Sequence, residues 1–227
     1  MDVLPQASLF LGLIPALILM YIAIKGYDEF YKDKVVFITL VIGVIIGFVA
    51  AFIHLYFFSI IYLYVVLLAF FDQLFKTIIL NIGRFHENRE TPIYGLSLGL
   101  GFGSSFTPLI IIAISSDPTS NVYVLSLAAI GSIGIILFHG ATGAYIGYGV
   151  YQGKLTKYLL IAILLELPFN FLIGTMMFLS KPELIKIQLG AAVGIIVYGV
   201  LIYWYVTRRI LPKLLTQSEK RKRKKNK

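Results

Sequence analysis

Cysteine is absent from this chain, and charged residues are scarce. Of the 227 residues, 14% are charged and 59% are hydrophobic, and the mean hydropathy is +0.87. The lack of cysteine excludes disulfides, thiolate metal sites and cysteine nucleophiles. The lack of charge excludes a soluble domain, because a globule of this size cannot keep so much apolar surface away from water. We therefore expect the lipid bilayer to be both the solvent and the main partner of the chain.

Polar linkers are also missing. Apolar stretches follow one another up to the basic C-terminal end, so we expect one membrane domain over residues 1–212 and a basic cytoplasmic tail over residues 213–227. The N-terminal end lacks the basic segment and the small-residue cleavage site of a signal peptide. Its first apolar stretch is therefore expected to be a retained helix.

The apolar stretches are long enough to be transmembrane helices. A helix needs about 20 mostly apolar residues to span the hydrocarbon core. The stretches that qualify lie near residues 7–25, 35–56, 59–82, 92–115, 121–150, 155–179 and 185–207. The second and third belong to one uncharged run, Val35 to Phe71, which is too long for one crossing. The sequence thus predicts an all-α, polytopic helix bundle with about seven transmembrane helices.

Loop charges set the orientation of these helices. An odd number of spans puts the two ends on opposite sides of the membrane, and basic loops stay in the cytoplasm. Lys181 and Lys186 lie on the side of the N-terminus, and Lys76 lies within a helix. Every other lysine and arginine falls on the side of the C-terminus. This distribution predicts a multi-pass protein of the cell membrane with its N-terminus outside and its C-terminus in the cytoplasm.

Much of the excess positive charge lies at the C-terminal end. The formal net charge is +9, and residues 218–227 have the sequence SEKRKRKKNK. We expect a solvated anchor that fixes the topology and lies near anionic lipid. A basic segment can also bind RNA or a partner protein, but nothing else in the sequence supports nucleic acid as a partner.

A few ionisable residues fall inside the predicted helices. They are Asp72 and Lys76 on the third helix, His139 on the fifth and Glu166 on the sixth. Such groups are costly in a bilayer, and by default they mark a functional site or an internal pair. At about 1.5 Å per residue, Asp72, His139 and Glu166 each lie about 15–16 Å from the cytoplasmic end of their helix. This common depth makes the three residues our candidates for catalysis.

Further polar residues extend the predicted cluster. Asp72 and Lys76 are four residues apart, as are Glu166 and Asn170, so each pair shares a helix face. The residues that we assign to a polar midplane cavity are Gln73, Lys76, Ser104 and Asn170. The alternative is that these groups only tie helices together through interhelical hydrogen bonds. In that case we expect a Lys76–Asp72 pair and a His139–Glu166 contact.

A proline and a second histidine within the predicted helices also allow predictions. Pro168 frees a backbone carbonyl and is expected to bend the sixth helix at the level of the cluster. His54 lies near the outer end of the second helix, where we expect an interfacial histidine that needs no buried partner.

Glycines recur at every fourth residue on the fourth and fifth helices. They are Gly95, Gly99 and Gly103 on the fourth helix and Gly143 and Gly147 on the fifth. This Gly-x-x-x-Gly spacing lets two backbones approach closely in a membrane, so both helices are predicted to be central. A phosphate-binding loop does not explain the GLGFG segment, because no strand precedes it and no Gly-Lys-Ser/Thr follows.

The order of these motifs resembles that of the PrsW-type glutamic intramembrane proteases. The Glu-Glu-x-x-Lys motif of that family corresponds to Asp72-Gln73-x-x-Lys76 in this chain. The Gly-x-Gly-Phe segment on the next helix corresponds to Gly99-Leu100-Gly101-Phe102, and a histidine followed by small residues and Gly-Tyr corresponds to His139-Gly140 through Gly147-Tyr148. The resemblance covers roughly residues 70 to 172.

The chain also departs from the family pattern. In the proteases the Gly-x-Gly-Phe segment leads into Glu-Asn, where this chain has Phe106-Thr107. The last protease motif is a histidine four residues before an asparagine, where this chain has Glu166 before Asn170. The layout of seven helices, outside N-terminus and cytoplasmic C-terminus resembles more closely a relative of the proteases, the anterior-pharynx-defective (APH) scaffold subunit of γ-secretase.

The resemblance implies that glutamates activate water in the proteases and that histidines help to hold the scissile carbonyl. Because glutamates of that pattern are missing here, we expect a non-catalytic scaffold or pseudoprotease that binds another membrane protein. The alternative is a divergent intramembrane endopeptidase that uses Asp72, His139 and Glu166 on a transmembrane-segment substrate, with one acid kept protonated. A second alternative is a transporter or small-ligand binder, although we recognise no internal repeat or discontinuous helix. No cofactor and no metal ion is expected.

Overall fold

The computed structural model describes residues 3–27, 30–57, 61–115, 122–178 and 185–215. Over these ranges the chain is helical and contains no strand, which confirms the all-α part of the predicted fold. The helices are α1 Val3–Ile24, α2 Asp33–Phe57, α3 Ile61–Leu80, α4 Thr91–Ser104, α5 Phe106–Ser115, α6 Val122–Tyr151, α7 Leu155–Phe178 and α8 Ile185–Tyr205. Gly26 and Gly153 follow α1 and α6 with φ of 82° and 64°, a left-handed conformation that lets the chain turn after a helix.

Five helical stretches of the described residues are long and apolar enough to cross a membrane. They are Asp33–Tyr56, Thr91–Ser115, Leu125–Tyr151, Leu155–Met176 and Lys186–Leu214. The described part of α1 adds a shorter apolar helix, Ser8–Ile24. The polar residues Asp72, Gln73 and Lys76 all lie on α3, which is not among the five.

Large apolar side chains cover the outside of the bundle. On α8, Val197 is 51% exposed and Trp204 is 53% exposed, and similar residues are exposed on α1, α2 and α7. A water-soluble protein rarely exposes such continuous apolar surface. Together with the lengths of the helices, these faces indicate a membrane protein.

Helix α4 lies at the centre of the bundle. All of its 14 residues are buried, and it packs against α6, α2 and α1. Pro92 falls in its first turn, where the missing N–H costs no hydrogen bond. The centre of the fold is thus a glycine-rich helix that has no contact with lipid.

The predicted fourth span, 92–115, corresponds to the apolar stretch Thr91–Ser115, which is interrupted at one residue. Helix α4 ends at Ser104 and α5 begins at Phe106, so Ser105 separates them. Pro108 explains the break, because its ring excludes the carbonyl of Ser104 and its nitrogen has no proton to donate. The hydroxyl of Ser105 donates to Val44 O of α2 at 2.8 Å. The interruption is local, since Ser105 keeps a helical backbone conformation with φ of −73° and ψ of −21°.

The chain remains packed beyond the end of α8. A π-helical turn, Val206–Ile210, leads into a 3₁₀ turn, Leu211–Leu214. Leu214 and Leu215 are buried in the core, and Arg89 donates a hydrogen bond to Leu214 O. The packed part of the chain therefore extends past the predicted domain boundary at residue 212, and residues 216–227 of the predicted tail lie outside the described residues.

Candidate functional site

Helix α3 presents three buried polar side chains within a little more than one turn. Asp72, Gln73 and Lys76 are each fully buried. Asp72 and Lys76 lie on one face because they are four residues apart, and Gln73 is turned about 100° from Asp72 at 3.6 residues per turn. Asp72 and Lys76 therefore leave one face of α3 and Gln73 leaves another, and the three side chains meet different helices.

Asp72 contacts α2. Its Oδ2 lies 2.9 Å from Nε2 of His54, and His54 is only 6% exposed. The expectation of an interfacial His54 without a buried partner is therefore wrong. The reason is tertiary: Phe106, at the start of α5, lies edge-on to the His54 ring with the centroids 4.9 Å apart, and it helps to cover this end of α2.

Lys76 contacts α6. Its Nζ lies 3.1 Å from Nδ1 of His139 and donates to Oγ1 of Thr142 at 2.8 Å. Its ammonium also lies 5.1 Å from the centroid of the Phe102 ring, within range of a cation–π contact. The predicted Lys76–Asp72 pair is not among the ion pairs of the described residues, because the long lysine side chain reaches across to α6 instead.

Glu166 connects α7 to both α3 and α6. Gln73 Nε2 donates to Oε2 of Glu166. The other carboxylate oxygen, Oε1, lies 3.9 Å from Nδ1 of His139, which is the His139–Glu166 contact expected from their common depth. Helices α3, α6 and α7 therefore meet at this carboxylate.

Asp72, His139 and Glu166 come together in space. Each offers a ligand-type atom, and these atoms all lie within 4.8 Å of one another. The side chains of Asp72, Gln73 and Glu166 each keep one oxygen without a hydrogen-bond partner: Asp72 Oδ1, Gln73 Oε1 and Glu166 Oε1. Two carboxyl groups thus face one ammonium group and the imidazoles of His54 and His139. Such a cluster can cross-link helices, share a proton or hold a cation.

Aromatic rings enclose His139. Phe106 stacks on the imidazole at 5.4 Å between centroids, Phe102 approaches edge-on at 4.9 Å, and Phe169 lies at 6.2 Å. His139 is 1% exposed. The electrostatic interactions inside this enclosure are strong because the surroundings are apolar.

The two other predicted polar residues lie away from the carboxylates. Asn170 Nδ2 donates to Val65 O at 3.5 Å, so it links α7 to α3. Ser104 Oγ donates to Gly101 O of its own helix at 2.7 Å. The Ser104 carbonyl faces Gly12 of α1, where an added Cβ would overlap it. Asn170 therefore ties two helices together, and Ser104 belongs to the α1–α4 contact.

The glycines of α4 and α6 face each other. A Cβ added at Gly95 would overlap the carbonyl oxygen of Gly143, and one added at Gly99 would overlap that of His139. A Cβ at Gly147 would come within 2.7 Å of Thr91 O. The α4–α6 approach fixes the backbone of His139 itself, so it also positions the polar cluster.

Sequence reasoning missed three features of this region. Thr142 accepts from Lys76, a role that its position three residues after His139 on α6 would have suggested. Gly134 and Gly199 form another close backbone contact, between α6 and α8. His54 was missed because a position near a helix end does not show that another helix covers it.

One crevice reaches the cluster from the side. It lies between α2, α5 and α7. Its lining is Ala51, His54, Leu55, Phe106, Leu109, Ile110 and Ile173. Apart from His54 these residues are apolar, so the crevice matches hydrocarbon rather than water.

The chain was compared with protein-family models, with curated proteins and with solved structures, and none of these comparisons returned a match.

Proposed function

We propose that this protein is a non-catalytic, multi-pass membrane scaffold of the PrsW/APH type, with about seven transmembrane helices. The main support for the proposal is that three polar residues of α3 contact three different helices. Asp72 contacts α2, Lys76 contacts α6 and Gln73 contacts α7, each through a buried polar interaction. Interhelical hydrogen bonds of this kind hold helices together where the hydrophobic effect cannot.

The proposed topology has α1 and α3 as spans in addition to the five apolar stretches. The N-terminus lies outside, and the loop between α3 and α4 lies in the cytoplasm with the C-terminal tail. The basic loop charges support this orientation. The chain has no native cysteine, so Asp2→Cys and Asn88→Cys can be labelled individually with a membrane-impermeant maleimide on sealed cells and on inside-out vesicles. The two positions should be labelled from opposite sides, and labelling from the same side would contradict seven spans.

Burial of the cluster also supports a scaffold. Asp72, His139 and Glu166 are at most 1% exposed, and hydrolysis would require water to reach them. As a scaffold, the protein would bind another membrane protein through its lipid-facing helices. Purified wild type is expected to cleave none of a panel of transmembrane reporter peptides, and His139→Ala is expected to lose thermal stability in detergent. Cleavage by the wild type that disappears in Asp72→Asn while stability is kept would overturn the proposal.

An intramembrane endopeptidase is the second candidate, and one observation favours it. Asp72 Oδ1 and Glu166 Oε1 are two unpartnered carboxyl oxygens in one cluster, which is how a pair of acids shares a proton and activates a water. In that case Asp72→Asn should fold normally and be inactive, because an amide cannot act as a general base. The matched control is Glu87→Gln in the exposed loop between α3 and α4, which should retain full cleavage.

A further inference from the structure

Three helices place metal-ligand atoms around one buried point. We infer that Asp72, His139 and Glu166 form a binding site for a single first-row divalent cation. Their ligand atoms lie within 4.8 Å of one another, and Nδ1 of His139 is 3.9 Å from Oε1 of Glu166. Gln73 supplies an additional oxygen, because its buried Oε1 has no hydrogen-bond partner.

The spacing is close to that of an assembled site. Bonds of about 2.0–2.2 Å to nitrogen and oxygen place neighbouring ligand atoms roughly 3–4.4 Å apart in tetrahedral or octahedral geometry. The widest separation here exceeds that range by a few tenths of an ångström. Since the ligands come from α3, α6 and α7, small rotamer changes suffice to close the set. The unpartnered oxygens of both acids are then satisfied by the cation.

The ammonium of Lys76 would compete with a metal ion for His139. It lies 3.1 Å from Nδ1 of His139, so the ring nitrogen that would bind the metal is already engaged. Thr142 and the Phe102 ring give the ammonium a place to stay when it leaves the imidazole. A divalent cation neutralises the two carboxylates without the lysine, so binding exchanges one cation for another.

The donor set selects the class of metal. Two carboxylates, an amide oxygen and one imidazole, with no cysteine in the chain, suit Mn²⁺ or Zn²⁺ and not Cu(I). Bound there, the cation would cross-link three helices, which goes beyond the scaffold proposed above and does not depend on it.

The test uses the full chain, purified in detergent and stripped with a chelator. Mn²⁺ and Zn²⁺ are added separately, and the midpoint of thermal unfolding is recorded after overnight incubation. Bound Mn²⁺ is counted from the loss of the free-ion electron paramagnetic resonance signal. We expect saturable binding of about one ion per chain and a rise in the midpoint. Glu166→Gln should weaken binding at least tenfold, whereas Glu87→Gln should bind as the wild type does.

Lys76→Met should strengthen metal binding, in contrast to Glu166→Gln. Removal of the competing ammonium should increase both the affinity and the metal-induced rise in the midpoint, measured against the same variant in chelator. The inference is overturned if the folded wild type binds neither ion in a saturable manner, or if binding survives both Asp72→Asn and Glu166→Gln. Binding by Lys76→Met alone would also overturn it for the natural chain. If Lys76→Met does not fold, the metal-binding measurements on the wild type and on Glu166→Gln still test the inference. The scaffold proposal is tested separately, by the cleavage assay with reporter peptides.

Discussion

Helices α4 and α3 are held in the bundle by different physical means. Helix α4 has no acidic or basic residue, and its glycines bring its backbone against the backbones of α6 and α2, while Gly12 of α1 lies against its last carbonyl. Helix α3 uses Asp72, Gln73 and Lys76, which reach three neighbouring helices by hydrogen bonds and charge. The first contact depends on the absence of side-chain atoms, and the second depends on their chemistry. We therefore expect α4 to be sensitive to added volume and α3 to be sensitive to lost charge.

The largest effect is expected from Lys76→Met, which tests the α3 side of this comparison. The substitution leaves Asp72 and Glu166 in an apolar interior without the ammonium that balances them. Removing one member of a buried charged set costs roughly 3–5 kcal/mol in soluble proteins, and we expect a loss of that order in metal-free detergent solution. Chemical or thermal unfolding of the purified variant measures it. Lys154→Met, at an exposed position after α6, is the control and should change little.

Gly99→Ala tests the α4 side with a single added methyl group. The new Cβ would overlap His139 O and lie 2.7 Å from its carbonyl carbon, so the two helices must move apart. Overpacking of this kind costs about 1–3 kcal/mol, and we expect the upper end because backbone atoms cannot rotate away. Gly190→Ala on α8 is the matched control, because a Cβ there has no neighbour within 4 Å. Equal melting temperatures for the two variants would show that α4 and α6 pack less closely than described here.

Ser97→Ala should have the smallest effect and refines the comparison within α4. The hydroxyl of Ser97 donates to Val36 O of α2 at 2.6 Å, so α4 also has a polar contact with α2. Interhelical hydrogen bonds in membranes contribute about 0.6 kcal/mol on average, and we expect a loss of that size. Ser115→Ala removes a hydroxyl that donates only within its own helix, to Ile111 O at 2.7 Å. A loss from Ser97→Ala as large as that from Gly99→Ala would mean that α4 depends on polar contacts as α3 does.

Much of this architecture could be predicted from the sequence, because the bilayer makes helix length and polarity decisive. Apolar stretches located the helices, and common depth brought together Asp72, His139 and Glu166. The partner of each polar group could not be predicted, since a depth along the membrane normal does not specify rotation about a helix axis. That is why Lys76 was paired with Asp72 instead of His139. The break at Ser105 could have been predicted from Pro108, whose effect on the preceding turn is local.

The proposed metal-binding set illustrates the same limit. Its members are separated by many residues in the sequence and come from α3, α6 and α7. Metal sites are recognised in sequences by short fixed spacings, and this arrangement has none. The sequence placed the three residues at one depth, and the packing of the helices brings their ligand atoms within 4.8 Å of one another.

The burial of α4 has a consequence for the order in which the protein is made. Helices α1 and α2 leave the ribosome before α4, so Gly12, Gly43 and Gly47 can receive it as soon as it is synthesised. Helix α6, which covers the other side of α4, is synthesised only from residue 122 onward. Until then the glycine face of α4 has lipid for a neighbour. We expect nascent chains released before α6 to be degraded rapidly in pulse-chase experiments, whereas chains released after α6 should persist.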